Sequence, residues 1–120
     1  MLFYSQSKRW FKRGEKIIGY GYAGNGKWKN DPASQDVKGH GPLPRGLYHL
    51  TGTKDSPRTG PFTIILEPDL KTPMFGRGDF RIHGDKKDAP GTASDGCIIL
   101  ARDIRNMIWN SGERQLTVVE

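Results

Sequence analysis

The chain contains a single cysteine, Cys97, among 120 residues. One cysteine excludes an internal disulfide and a zinc site built on several thiolates. There are only three histidines, with no His-x-His spacing, so the sequence predicts neither a bound metal nor a cofactor. Long apolar runs are also missing: the longest, such as residues 97–101, have the length of a strand and fall far short of the ~20 residues that a membrane helix needs. We therefore expect no membrane partner.

The N-terminal segment 1–9 lacks the features of an export leader. It has no basic start followed by a long apolar stretch and a small-residue cleavage site. We therefore expect synthesis in the cytoplasm, so that action outside it would require a dedicated export machine or lysis of the host cell.

Turn-forming residues, in contrast, are frequent: the chain has 16 glycines and 8 prolines, which divide it into short segments. This pattern is typical of a β-rich fold. The length suits one domain, residues 1–120, and we expect a small mainly-β sandwich or barrel. One helix is predicted from about Ala101 to Trp109, with Ile104, Met107 and Ile108 on its apolar face and Gly112 at its stop. Predicted strands cover 2–5, 9–12, 17–23, 46–52, 61–67, 79–83, 97–100 and 115–119, the third bent or bulged by its glycines.

The segment 76–100 concentrates the residues that can carry chemistry. It predicts a strand ending in His83-Gly84, a polar loop, and a second strand opened by the tetrapeptide 94–97, Ser-Asp-Gly-Cys. Two neighbouring strands joined by that loop can place the imidazole beside the thiol of Cys97. A thiol of pKa ~8.5 is mostly protonated at neutral pH, so an imidazole is needed to remove its proton or to hold the thiolate in an ion pair. The pattern therefore predicts a sulfur nucleophile that attacks an amide carbonyl, with His83 protonating the leaving amine.

Two further residues of this segment are predicted to assist. Gly96 permits a tight turn, after which the N–H groups of Gly96 and Cys97 can face a developing oxyanion. The hydroxyl of Ser94 can bond the His83 ring or brace the loop that carries Cys97. Taken alone, Cys97 is more simply interpreted as a small buried side chain, and His83 as a structural or surface histidine. Only their occurrence together in this segment favours a catalytic pair.

The chain resembles the catalytic domains of YkuD-type L,D-transpeptidases, through His83-Gly84 followed by the segment 94–98, Ser-Asp-Gly-Cys-Ile, and through Gly-Pro-Leu-Pro-Arg-Gly-Leu-Tyr at 41–48. It is most similar to the L,D-transpeptidase effectors of type VI secretion systems. That likeness is carried by the segments 4–7, 60–62, 80–85 and 90–100. It covers nearly the whole chain and implies an L,D-transpeptidase-like β-sandwich.

The resemblance implies cysteine-dependent chemistry on peptidoglycan tetrapeptide stems. A thioester on Cys97 would be resolved by water (carboxypeptidase activity), by a free D-amino acid (exchange) or by another stem (cross-linking). It also implies an antibacterial effector toxin, exported into the periplasm of a target bacterium, with an immunity protein that blocks its cleft and a secretion-apparatus component that delivers it. A housekeeping or phage cell-wall enzyme, and an inactive wall-binding module, are the alternatives within this frame.

Substrate contacts are expected from Gly84, Asp85, Asp95 and an arginine. The wider family often has His or Arg at the position of Asp95, and Arg or Asn at that of Ile99, and that Arg helps to hold the substrate carboxylate. This chain has Ile99 instead, so another arginine is a candidate for that role. Arg81 is the best placed, because it lies two residues before His83 and hence on the same strand face. Arg77 and Arg102 are the other candidates. Asp85 and Asp95 can alternatively orient His83, contact an amine or cap a turn.

The net charge of +6 suits an anionic partner such as a cell wall, and residues 1–30 combine seven cations with interleaved aromatics. A nucleic-acid-binding β domain is therefore an alternative from another functional class. Strand alternation alone also produces such interleaving, with the aromatics in the core and the cations in solvent. We favour that interpretation and expect no nucleic-acid partner.

Overall fold

The computed structural model describes all residues 1–120 and contains nine strands and one helix. The predicted class, mainly β with one short helix, is confirmed. Two single turns of 3-10 helix, Gly26–Trp28 and Pro32–Ser34, were not predicted. The elements are β1 Leu2–Ser5, β2 Trp10–Arg13, β3 Lys16–Tyr20, β4 Tyr22–Ala23, β5 Gly46–Ser56, β6 Gly60–Pro68, β7 Arg81–His83, β8 Ile98–Ile99, α1 Arg102–Asn110 and β9 Gln115–Val119.

Hydrogen bonds join all nine strands into one sheet of order β3-β2-β1-β9-β5-β6-β7-β8-β4. The first and last strands in this order, β3 and β4, are consecutive in the chain and separated only by Gly21. The sheet must therefore curl until its two edges come close together at Gly21. The expected irregularity of the third predicted strand is confirmed, because the pairing of β2 with β3 shifts by one residue opposite Phe11 and Lys12.

One apolar cluster fills the curled sheet and draws on eight of its strands. Tyr4, Tyr48 and Phe11 are its largest fully buried side chains. The Tyr48 hydroxyl donates to the Pro44 carbonyl at 2.7 Å, so its polar end is satisfied inside the core. The segment 41–48, which the sequence singled out, thus feeds directly into the central strand β5 and lies against the core.

Helix α1 packs on β6 and β7 through a face that differs from the predicted one. Ile108 is fully buried and Ile104 packs against the core, but Met107 is 47% exposed. Arg105 is buried instead, because its guanidinium donates to the carbonyls of Phe62, Leu100 and Pro61. The structure has no helix with the length and apolarity needed to cross a bilayer.

Gly21 makes the closure of the sheet possible, and its replacement should be costly. A Cβ at this position would lie 1.9 Å from the Ile99 carbonyl oxygen, so the strand junction would have to separate. We expect Gly21→Ala to lower the free energy of unfolding by about 2–3 kcal/mol. Urea unfolding measures the effect. Gly52→Ala is the matched control, since a Cβ there meets nothing within 4 Å. Equal stability of the two variants would contradict this account of closure.

Candidate active site

Cys97 lies immediately before β8 and is half-buried. Its sulfur contacts the Asp79 carbonyl oxygen at 3.8 Å. The preceding Gly96 has a φ of +142°, and a Cβ there would lie 2.6 Å from an Arg77 nitrogen and 2.7 Å from the Phe80 ring. Glycine is therefore required next to the thiol both by its backbone conformation and by the space available.

Ser94 braces the loop that carries Cys97, which is one of its two predicted roles. Its buried hydroxyl donates to the Cys97 carbonyl at 2.6 Å and accepts from the N–H groups of Gly24 and Gly96, at 2.8 and 3.0 Å. The alternative bond to the His83 ring is not formed. The Gly96 N–H, which was predicted to face an oxyanion, donates instead to the Ser94 hydroxyl. The Cys97 N–H does not donate to Ser94.

His83 ends strand β7 and is buried, with 5% of its surface exposed. Its Nδ1 lies 2.9 Å from the Gly84 carbonyl oxygen. A carbonyl can only accept, so Nδ1 carries the proton and Nε2 is the basic nitrogen of the neutral ring. Burial lowers the pKa of His83, and the nearby charges of Arg105, Arg81 and Arg58 lower it further, against the opposing effect of the Gly84 carbonyl. The imidazole is therefore neutral at pH 7 and able to accept a proton.

The sheet brings Cys97 and His83 to one cleft of about 210 Å³, which both residues line. Strands β7 and β8 are parallel neighbours, with Ile82 paired to Ile98. This register sets Cys97 level with Arg81 and places His83 two positions further along the same face. No hydrogen bond joins the sulfur to the imidazole. The thiol is directed at the Asp79 carbonyl oxygen, so transfer of its proton to His83 requires the S–H to turn away from Asp79.

The cleft around Cys97 is positively charged. Arg58, Arg81 and Lys86 line it, against the two carboxylates of Asp79 and Asp95. Burial raises the pKa of Cys97, while the Arg81 N–H and the charges of Arg81 and Arg58 oppose the rise and Asp95 adds to it. With the thiol pKa raised and the imidazole pKa lowered, both groups are neutral at rest. This electrostatic setting favours proton removal by His83 over a preformed ion pair.

This setting predicts how the reactivity of Cys97 depends on pH. A raised thiol pKa leaves less thiolate at neutral pH than in a free cysteine. The rate of alkylation by iodoacetamide should therefore rise about tenfold per pH unit from pH 6 to 8, with no plateau below the ordinary thiol pKa of ~8.5. Mass spectrometry measures the rate of alkylation of the protein, with glutathione as the reference thiol. A plateau between pH 5 and 7 would instead reveal a stable thiolate–imidazolium pair.

Gly84 and Asp85, predicted as substrate contacts, line a neighbouring cleft of about 640 Å³ that shares Thr59 with the Cys97 cleft. The Asp85 carboxylate accepts from the Tyr22 hydroxyl at 2.7 Å and from the N–H groups of Lys86 and Gly91. It makes no bond to His83 and instead fixes the loop between the two clefts. Asp95, in contrast, lies at the Cys97 cleft.

Of the three candidate arginines, only Arg81 lines the cleft that Cys97 shares with His83. Arg77 is buried, and its guanidinium donates to the carbonyls of Gln35, Gly41, Pro42 and Asp95. Arg102 lines the neighbouring cleft and sits 5.2 Å from the centre of the Phe62 ring. Sequence reasoning missed Arg58, because it lies in the turn between β5 and β6, 39 positions before Cys97.

The other two histidines, His40 and His49, lie outside the Cys97 cleft. His49 pairs with Asp69 at 3.0 Å and His40 stacks on Trp28. No group of three or more His, Cys, Asp or Glu side chains is arranged to hold a metal ion. Five aromatics are interleaved with the N-terminal cations: Trp10, Phe11, Tyr20, Tyr22 and Trp28. Phe11 is buried, three are half-buried and only Tyr20 is exposed, so they form no open base-stacking surface.

The model of the Tlde1 domain family matches residues 18–120. The chain therefore belongs to this family of type VI secretion effectors with L,D-transpeptidase-type activity. The predicted resemblance to such effectors is confirmed at this level. No curated protein and no solved structure matches the chain.

Proposed function

We propose that this Tlde1-family chain is a cysteine L,D-carboxypeptidase and L,D-transpeptidase acting on the tetrapeptide stems of peptidoglycan. The observation that carries the proposal is the arrangement of its one thiol. Cys97 and the neutral, Nδ1-protonated His83 line the same open cleft on neighbouring strands. A nucleophile and a base that share a substrate-accessible cleft are the smallest working unit of thiol catalysis.

The first step forms a thioester. Nε2 of His83 takes the Cys97 proton as the sulfur attacks the carbonyl that joins the L-centre of the third stem residue to the terminal D-alanine. The negative charge on the carbonyl oxygen is stabilised by the Cys97 N–H, since the Gly96 N–H is held by Ser94. The C–N bond then breaks, and His83 returns its proton to the departing D-alanine amine.

The second step releases the enzyme. Water, a free D-amino acid or the amine of another stem attacks the thioester carbonyl, with His83 accepting the proton of the attacking group. The C–S bond breaks and the sulfur recovers that proton. The products are a shortened stem, a stem with an exchanged D-residue, or a cross-link between third residues.

The positive charge of the cleft suits this substrate. Stem peptides carry carboxylates, and the cleft presents Arg58, Arg81 and Lys86. A cationic cleft with low-dielectric walls concentrates anionic ligands near the thiol. We assign Arg81 as a contact to the substrate, since it is level with Cys97 and makes no ion pair in the structure.

The biological role follows from the chemistry and the family. Removal or exchange of the terminal D-alanine destroys the tetrapeptide donors that L,D-cross-linking consumes. We infer an antibacterial toxin that reaches the periplasm of a neighbouring cell through a type VI secretion apparatus. The producing cell would then need an immunity protein that blocks the cleft at Cys97.

The direct test is incubation of the purified protein with disaccharide-tetrapeptide, with and without a free D-amino acid, followed by mass spectrometry. Loss of one alanine, or its exchange, is the expected result. A Cys97→Ala preparation controls for contaminating enzymes. Cross-linked dimers as the main product would favour a housekeeping enzyme, cleaved glycan a phage lysis enzyme, and unchanged substrate would refute the proposal.

A further inference from the structure

Arg58 and Asp95 form an ion pair beside the thiol. Their closest nitrogen and oxygen atoms are 4.0 Å apart, and the side chains are 81% and 72% exposed. Arg58 comes from the turn between β5 and β6, whereas Asp95 lies two residues before Cys97. The pair therefore connects two separate parts of the fold across the mouth of the site.

The pair also stands where two clefts meet. A second cleft of about 210 Å³ opens onto Cys97 from another side, lined by Lys38, Gly39, Arg77, Gly78 and Phe80 among others. Arg58, Asp79, Asp95 and Cys97 line both clefts. The Arg58–Asp95 pair therefore borders both clefts through which a substrate can approach the sulfur.

An exposed ion pair of this kind contributes only about 0–1 kcal/mol, so a ligand can displace it easily. The charges of the ligand decide whether displacement is favourable. A lone carboxylate bound to Arg58 would leave Asp95 unpaired and repelling it. A ligand that carries a carboxylate and an ammonium can pair both residues at once, and no charge is then left unpaired.

We propose that Arg58 and Asp95 together recognise a zwitterionic α-amino acid group, that is, an ammonium and a carboxylate on one carbon atom. Arg58 binds the carboxylate, for which its planar guanidinium is suited, and Asp95 binds the ammonium. This inference rests on the proposed function and adds a specificity determinant to it. The opposed charges of the pair select against amidated or N-acylated groups.

Two sources can supply this group at the site. One is the far end of a diamino-dicarboxylic acid at stem position three, a short methylene chain away from the carbonyl that Cys97 attacks. The other is the free D-amino acid of the exchange reaction. The shared chemistry is the same, and the two sources act in different steps of the reaction.

The test compares substrates with a free and an amidated carboxylate. For the wild type, amidation of the distal carboxylate of this diamino-dicarboxylic acid should lower kcat/KM for D-alanine release by about three- to tenfold. In Arg58→Gln, free and amidated stems should react within about twofold of each other. Asp95→Asn should likewise remove the preference for a free over an acetylated distal amine.

A second arm uses exchange into one fixed stem, comparing D-methionine with D-methioninamide. If Arg58→Gln removes the preference for free over amidated stems in D-alanine release, the recognised zwitterion is on the stem. If Arg58→Gln changes only the preference for D-methionine over D-methioninamide, measured as the ratio of exchange to hydrolysis, the recognised zwitterion is the incoming amino acid. Discrimination unaffected by Arg58→Gln in both arms overturns the inference.

The controls separate this inference from the proposed function. Arg13→Gln removes another exposed arginine, one that pairs with Glu113 and lines neither cleft, and should leave the discrimination unchanged. Because Arg58 and Asp95 are exposed, their variants should unfold at the wild-type temperature. If the wild type shows no turnover that depends on Cys97, the proposed function itself is refuted. If turnover occurs but the preference for the free carboxylate is unchanged in Arg58→Gln, only recognition by this pair is refuted.

Discussion

Cys97→Ala should lower the rate of D-alanine release from a tetrapeptide stem by about 10³-fold or more, which is the effect of removing the nucleophile in covalent catalysis. The chain has no other thiol that could substitute. The side chain is half-buried and small, so its truncation removes little packing. Initial rates by mass spectrometry, compared at equal protein concentration, measure the loss.

Thermal unfolding provides the control for this variant. Cys97→Ala should melt close to the wild type, because the loop that carries the residue is held by Ser94 and by Gly96, neither of which is changed. An inactive variant that melts normally assigns the loss to chemistry. If Cys97→Ala released D-alanine at the wild-type rate, the thioester mechanism would be excluded.

Local patterns in the sequence predicted most of the elements. Turn residues and apolar alternation located the strands to within a few residues, except that the one strand predicted over 17–23 is divided at Gly21 into β3 and β4, which lie at opposite edges of the sheet. The stop of α1 at Gly112 coincides with a φ of +79°. The order of the strands in the sheet was not predicted. Parallel pairing of β1 with β9 joins the two ends of the chain, and pattern alone carries no information on such distant partners.

The same distinction between local and distant features applies to the candidate site. The His83–Cys97 frame is local, because one loop joins two neighbouring strands, and the sequence placed both residues correctly at strand ends. Arg58 and the backbone carbonyl of Asp79 reach the site only through tertiary folding. Backbone atoms leave no signal in a sequence, and an arginine in a turn resembles any solvated one.

Arg77 illustrates the consequence of that limit. The sequence offered it as a candidate to bind a substrate carboxylate, yet its guanidinium donates to four backbone carbonyls beneath the loop that carries Cys97, among them those of Gly41 and Asp95. Arg77→Leu should therefore lower the free energy of unfolding by about 3 kcal/mol or more, since each buried acceptor left without a donor costs about 1–3 kcal/mol. Urea unfolding measures this loss.

Arg102→Leu is the matched control, because that arginine is exposed and makes only a ring contact with Phe62, worth at most about 1 kcal/mol. Activity distinguishes the two roles of Arg77. A substrate clamp would raise KM and leave the unfolding midpoint unchanged. A residue that holds the Asp95–Cys97 loop should lower kcat and stability together, even at temperatures where the variant remains folded, because the thiol loses its position relative to His83.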